Sequence, residues 1–211
     1  VAAGDYSLTI TDAVNCSYFF NFTVEEPDTL SSTISQIDID CFGNNNGSID
    51  FEPIGGKLPY NYLWSNNETT QDISGLSSGT YFVDLTDDNG CSLSNQISIF
   101  EPDLLQATAQ VDNSICSGHP SGSAMITTSG GLGEFSYTWS NGDNTQNLTD
   151  VIADNYTVTI SDENDCTIQL PVTITEPLPF TTNFTTVDIN CFGESNGSID
   201  VQLSGNSPPY T

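Results

Sequence analysis

The sequence predicts an all-β protein: tandem immunoglobulin-like or fibronectin-like antiparallel β-sandwich repeats with a period of 75. Three observations carry that expectation. Six cysteines stand at 16, 41, 91, 116, 166 and 191, at successive intervals of 25, 50, 25, 50 and 25, which sets the period. Apolar and polar residues alternate in Tyr81-Phe82-Val83-Asp84-Leu85-Thr86-Asp87, Tyr156-Thr157-Val158-Thr159-Ile160 and Tyr6-Ser7-Leu8-Thr9-Ile10, the pattern of strands with one buried face. Turn signals break the chain between such segments, and no stretch carries a helical period.

Each element of the repeat follows in order. Cys41-Phe42-Gly43 opens a Gly-bounded turn that ends at Gly47, and a strand is expected over 47–52. Gly55-Gly56 turns the chain into a second strand at 60–65, which carries Trp64. A third is expected at 69–75. Leu76, Gly79 and Tyr81 are spaced like the corner leading into strand F of immunoglobulin-like sandwiches, and Trp64 and Trp139 are then core residues of strand C. A fourth strand at 80–87 meets Asp88-Asn89-Gly90, a turn sequence ahead of Cys91. Ile97-Ser98-Ile99 and Val172-Thr173-Ile174 supply the strand after it. Sliding the chain by one period aligns it without a gap, Tyr62-Leu63-Trp64-Ser65-Asn66 falling on Tyr137-Thr138-Trp139-Ser140-Asn141, which chance does not maintain over so many unlike residues. Each unit closes on Glu-Pro, at 26–27, 101–102 and 176–177. The expected domains are therefore two complete repeats, 31–105 and 106–180, flanked by the C-terminal part of a preceding repeat (1–30) and the N-terminal part of a following one (181–211). The sequence reads as a window on a longer repetitive chain, with no signal peptide at Val1-Ala2-Ala3-Gly4-Asp5.

Composition narrows the function. The chain has 28 Asp and Glu against one Lys or Arg, a net charge of −27. Such a surface repels phosphate backbones and anionic lipid, which argues against nucleic-acid binding and membrane-surface binding. No apolar run is long enough to span a bilayer. With 36% hydrophobic and 10% aromatic residues, the chain nevertheless has the material for packed cores. No Ser/His/Asp set, phosphate loop or His-based metal motif is present, and His119 and Lys57 each occur in one repeat alone. An enzyme is not expected, and neither is a cofactor.

The landmarks together resemble a known family. Cys41-Phe42-Gly43, Gly47-Ser48-Ile49-Asp50, Gly55-Gly56, Pro59-Tyr60, Tyr62, Trp64-Ser65-Asn66, and then Gly79, Tyr81, Val83, Leu85, Asp87 and Asn89-Gly90-Cys91 look like the SprB-type repeat. The middle repeat departs from the pattern at Met125 and Asp154. The resemblance implies an exported filamentous cell-surface adhesin of gliding bacteria that use type IX secretion, serving adhesion, motility or capture of other cells.

Cysteine usage also points outside the cytosol, since Cys-x-x-Cys pairs are absent and disulfides are the ordinary role for recurring cysteines. Two pairings respect the repeat. One closes each unit, Cys41 with Cys91 and Cys116 with Cys166, and leaves Cys16 and Cys191 for partners beyond the window. The other staples units together, as Cys16–Cys41, Cys91–Cys116 and Cys166–Cys191. Four strands counted between the cysteines place both corners at one end of a sandwich, which favours closure within the unit; a hidden short strand between 65 and 75 reverses that argument. Recurring Asp12, Asp87 and Asp162 near the second cysteine, with Asp38 and Asp188 near the first, are candidate calcium ligands, as hard oxygen donors in turns. Turn formation accounts for the same residues without a metal. Eight Asn-x-Ser/Thr sites reflect an Asn/Ser/Thr-rich composition, and Asp28-Thr29-Leu30 resembles a short bacterial O-glycosylation motif. The expected function is a stalk that holds an adhesive tip away from the cell. Its expected partners are neighbouring repeats, identical chains in a filament, and a surface or glycan ligand reached through that tip. The rival is a repeated carbohydrate-binding module, with Phe42 and Phe192 stacking on sugars, although the middle repeat has Ser117 there.

Overall fold

The computed structural model of the chain describes residues 1–205; residues 206–211, the end of the last partial repeat, lie outside the described residues. All described regular structure is β-strand: β1 (Gly4–Thr11), β2 (Ser17–Val24), β3 (Ser31–Ile37), β4 (Gly47–Ile54), β5 (Asn61–Trp64), β6 (Ile73–Leu76), β7 (Gly79–Thr86), β8 (Ser92–Ile99), β9 (Gln106–Asp112), β10 (Gly122–Ser129), β11 (Ser136–Trp139), β12 (Leu148–Val151), β13 (Asp154–Ser161), β14 (Thr167–Ile174), β15 (Thr181–Val187) and β16 (Ser198–Ser204). The chain divides into two units, Val1–Glu101 and Pro102–Thr211.

In the first unit a three-stranded sheet β3-β4-β6 faces another, β5-β7-β8, and every pairing is antiparallel. Alternation drives this packing. Ile49 and Phe51 of β4, Val83 and Leu85 of β7, and Ile97 and Ile99 of β8 point inward, and with Trp64, Ile73 and Leu76 they form one buried core. Phe51 meets Trp64 edge-on at 5.9 Å between ring centres, a favoured aromatic geometry. Trp64 is 1% exposed and Trp139 2%, so both are core residues as the sequence indicates. The second unit repeats the arrangement with sheets β12-β10-β9 and β11-β13-β14, where Ala124 and Ile126 stand for Ile49 and Phe51.

The corner into β7 is also as expected. Tyr81 donates its hydroxyl back to the Ser77 carbonyl at 3.0 Å, Tyr156 to Ile152 at 3.0 Å, and Tyr6 to Ala2 at 2.6 Å. A tyrosine hydroxyl that reaches a few residues upstream at this corner is a hallmark of immunoglobulin-like sandwiches.

The third strand differs. The sequence suggested 69–75; the structure places β6 at Ile73–Leu76. β5 pairs with β7 only as far as Trp64↔Val83, and β6 pairs with β4 from Ile73↔Ile49 to Leu76↔Gly47. Since β4 and β7 run the same way and β5 and β6 both run against them, β5 and β6 make one upward pass. The chain changes sheets at mid-height through residues 65–72, without reversing. Trp64 fixes that crossover by donating its indole N–H to Thr70 O at 2.8 Å, as Trp139 does to Thr145 O at 2.9 Å.

The consequence is odd parity. β4, then β5 with β6, then β7 are three passes between the cysteines of a repeat, not four. Ser31 pairs with Ile54 at one end of the sandwich, and Ile99 pairs with Gly79 at the other, so each complete repeat receives the chain at its amino end and releases it at the opposite, carboxyl end. The hairpins β1-β2 and β15-β16 carry the same inward residues, and without an opposing sheet among the described residues Leu8, Ile10, Phe22, Ile199 and Val201 are exposed.

Candidate functional site

The recurring chemistry of the chain is concentrated at the two ends of each repeat. At the amino end the turn from β7 to β8 is built on Asp87. Its Oδ1 accepts the backbone N–H of Asn89 at 2.9 Å and of Cys91 at 2.8 Å, and its Oδ2 accepts that of Lys57 at 3.0 Å. Asp162 does the same for Asn164, Cys166 and Leu132, each at 3.0 Å. Asp12 holds Val14 and Cys16 at 2.9 Å. Asp87 and Asp162 are buried, at 2% and 5% exposure, the charged residues among the described residues that are. Burial pushes the Asp87 carboxyl up, but the N–H donors of Cys91, Lys57 and Asn89 outweigh it and hold the group below its ordinary value.

Gly55 and Gly56 complete this end. Gly56 donates its N–H to Asp28 O at 2.8 Å, and Gly131 to Asp103 O at 2.8 Å, tying the segment ahead of each repeat to its double-glycine turn. Residues 102–105 accordingly pack with the repeat that follows them, a few residues ahead of the boundary drawn from sequence. Both glycines have positive φ, and a Cβ on Gly56 would lie 2.9 Å from Asp87 Oδ2. Lys57 ion-pairs with Asp88 at 2.9 Å, between side chains that are 56% and 45% exposed. Such a surface pair contributes little.

At the carboxyl end the corner after β3 is held by Glu101. One carboxylate oxygen accepts Gly43 N–H at 3.1 Å, the other Ser78 hydroxyl at 2.9 Å. Glu176 likewise accepts from Gly118 N at 2.6 Å and Ser117 Oγ at 3.0 Å. Asp38 accepts Phe100 N–H at 3.0 Å, and its counterpart Asn113 accepts Thr175 N–H at 2.9 Å. In the sequence, Glu-Pro marks the close of each unit. The recurrence of a glutamate at one fixed offset from Cys-x-Gly was the sign that it has a partner.

This geometry corrects the preferred cysteine pairing. Cys41 follows β3 at the carboxyl end with Glu101, while Cys91 closes the β7–β8 turn at the amino end with Lys57. The whole length of β7 lies between these ends, roughly 23 Å at about 3.3 Å per residue. A disulfide tolerates a Cα separation of no more than about 7 Å. Cys41 with Cys91, and Cys116 with Cys166, are therefore kept apart by the sandwich itself, because the mid-height crossover removes one of the four passes that the strand count assumed. Cys41 and Cys166 are disulfide-bonded, whereas Cys16, Cys91, Cys116 and Cys191 are free thiols; the staple pairings of Cys16 with Cys41, Cys91 with Cys116 and Cys166 with Cys191 are thus not formed either.

The candidate calcium ligands are not brought together. Asp12, Asp87 and Asp162 each direct carboxylate oxygens at backbone N–H groups, Asp38 caps Phe100, and Asp188 is exposed beyond β15. No group of three or more His, Cys, Asp or Glu side chains gathers as a metal site among the described residues. Phe42 and Phe192 stand exposed at their corners, and His119 is exposed in its loop.

Comparison with known proteins agrees with the landmarks. No curated protein matches the chain. A crystal structure of murine CEACAM1b is similar at 14% identity and a TM-score of 0.31, covering 69% of this chain and 100% of that one, too low a score to carry an argument. The SprB repeat model matches residues 33–69, 108–144 and 183–211, segments that start one cysteine period apart. The first two each contain the Cys-x-Gly corner, the double glycine and the Trp-Ser-Asn segment, so three segments of the chain match the SprB repeat, a structural repeat found in cell-surface proteins.

Proposed function

We propose that this segment is a structural stalk of a large secreted cell-surface adhesin, exported by type IX secretion and serving adhesion, gliding motility or the capture of other cells. The observation that supports it is the path of the chain through each complete repeat, which begins at Ser31 at one end of the sandwich and leaves after Ile99 at the other. A domain threaded this way adds length with every copy. The recurring acidic side chains, Asp87 and Glu101 and their counterparts, hold the ends of repeats through hydrogen bonds, which supports a structural role. The strong like charge keeps such a surface from sticking to itself and to other anionic surfaces.

The test is binding of the folded, oxidised chain to a broad glycan panel and to intact cells. A stalk binds neither. Reproducible glycan binding that disappears when Phe42 and Phe192 are replaced by Ser makes the repeats that carry them weak sugar sites and removes the proposal.

A further inference from the structure

We propose that each complete sandwich carries one open seam, a strand-acceptor edge that a second copy of this chain would fit, and that two side chains of the crossover keep it closed. Strand order places the seam. β5 and β6 are edge strands of four residues, lying beside β7 and β4 of eight. β5 covers β7 only over residues 83–86, and β6 covers β4 only over residues 47–49, so half or more of each longer strand has no neighbour strand on that side. Backbone left uncovered in this way is a template for a strand of another chain. The opposite side of the sandwich is stitched. There Ile39 donates its N–H to Phe100 O at 2.9 Å, and Gln36 its side-chain amide to Ser98 O at 3.0 Å, joining one sheet to the other.

The two ends of the crossover occupy both gaps. Past the last β5 pair, Ser65 donates its N–H to Phe82 O at 2.9 Å, and Phe82 donates its own N–H to Ser65 Oγ at 3.2 Å. A hydroxyl thus stands where an added strand would present a carbonyl. Across the seam, Phe51 of β4 donates its N–H to Asp72 Oδ1 at 3.0 Å. The second repeat reproduces both devices. Thr157 donates its N–H to Ser140 Oγ at 3.1 Å and Ile126 to Asn147 Oδ1 at 3.0 Å, while Gln146 donates its side-chain amide to Ile126 O at 2.8 Å. Asp72 and Asn147 differ in charge and share an oxygen acceptor, so the acceptor is the common feature. Ser65, Asp72, Ser140 and Asn147 are all exposed and belong to neither core, which leaves the sheet edge as what they serve. The device belongs to the sandwich and is independent of whether the repeat is a stalk.

Sedimentation velocity of the full chain in about 1 M NaCl, where repulsion between copies is screened, is the test. Ser140→Ala/Asn147→Ala frees the N–H groups of Thr157 and Ile126. A second copy is expected to take them, raising the self-association constant on the order of tenfold over the parent. The hairpins β1-β2 and β15-β16 are the same in parent and variant, so the difference reports the seam. Hydrogen exchange locates it: as protein concentration rises, amides of β10 and β13 gain protection in the variant and not in the parent. Ser140→Thr/Asn147→Asp, which keeps both acceptors, is expected to behave as the parent. Where near-ultraviolet circular dichroism shows the alanine pair unfolded, Ser140→Ala alone is measured, with a smaller gain expected. Association of the folded variant no stronger than that of the parent, or protection gained outside β10 and β13, overturns the proposal.

Discussion

Asp87 shows how a residue that looks like a ligand can be a structural bolt. Its two oxygens are committed to three backbone N–H groups on two separate turns, so its charge holds the β7–β8 turn against the double-glycine loop. The folded carboxyl titrates below its ordinary value of about 3.9, so its contribution to stability is present above that pH and is lost as pH falls through the folded value. With Trp139→Phe leaving Trp64 to report on the first repeat, Asp87→Asn lowers the midpoint of unfolding near neutral pH, and the gap from the parent closes as the solution is taken below about pH 4. A gap that stays constant from about pH 6 to about pH 2 contradicts this role. The glycines differ in kind. Gly55 has φ +77°, and a Cβ there collides with the Thr29 carbonyl, whereas Gly43 at φ +80° faces open space. Gly55→Ala is expected to cost about 3 kcal/mol or more, and Gly43→Ala about 1 kcal/mol, by urea denaturation.

At the scale of elements, the alternating strands and their facing sheets were legible because period-two patterning reports directly on which side of a strand is buried. Val83, Leu85, Ile97 and Ile99 could be assigned inward from sequence, and they are. The sheet crossover was not legible. Residues 65–72 carry no hydrophobic period, and whether the chain reverses there or continues depends on pairings to β4 and β7 that local sequence does not encode. That missing reversal is why the strand count put the cysteines at the same end. Trp64 is the hinge of this crossover, through its buried ring and its bond to Thr70. Trp64→Ala should destabilise the first repeat by about 3–5 kcal/mol, while Trp64→Phe, which keeps most of the ring and loses the N–H donor, should cost less than half as much. Equal losses would mean that the ring volume contributes nothing beyond the hydrogen bond.

For the whole molecule, charge and repetition decide most of the behaviour. With a net charge of −27 and one lysine, the folded chain repels itself more strongly than an expanded one. Raising NaCl from about 0.01 M to about 1 M shortens the screening length from about 30 Å to about 3 Å, so the melting temperature should rise with salt; a flat or falling dependence would remove self-repulsion from the account. The family, the repeat landmarks and the core were written in the sequence, because each recurs at identical offsets. The roles of the recurring acids were not, since a carboxylate that caps backbone N–H groups and one that awaits a cation present the same residue in the same turn. The stalk proposal is tested most directly by changing repeat number in the parent surface protein, one whole unit at a time, and measuring both the reach of the filament by electron microscopy and the number of attached target particles per filament. Reach that changes in proportion to repeat number, with attachment per filament unchanged, is the predicted result. Attachment that falls with each repeat removed would contradict it and make the repeats themselves the adhesive.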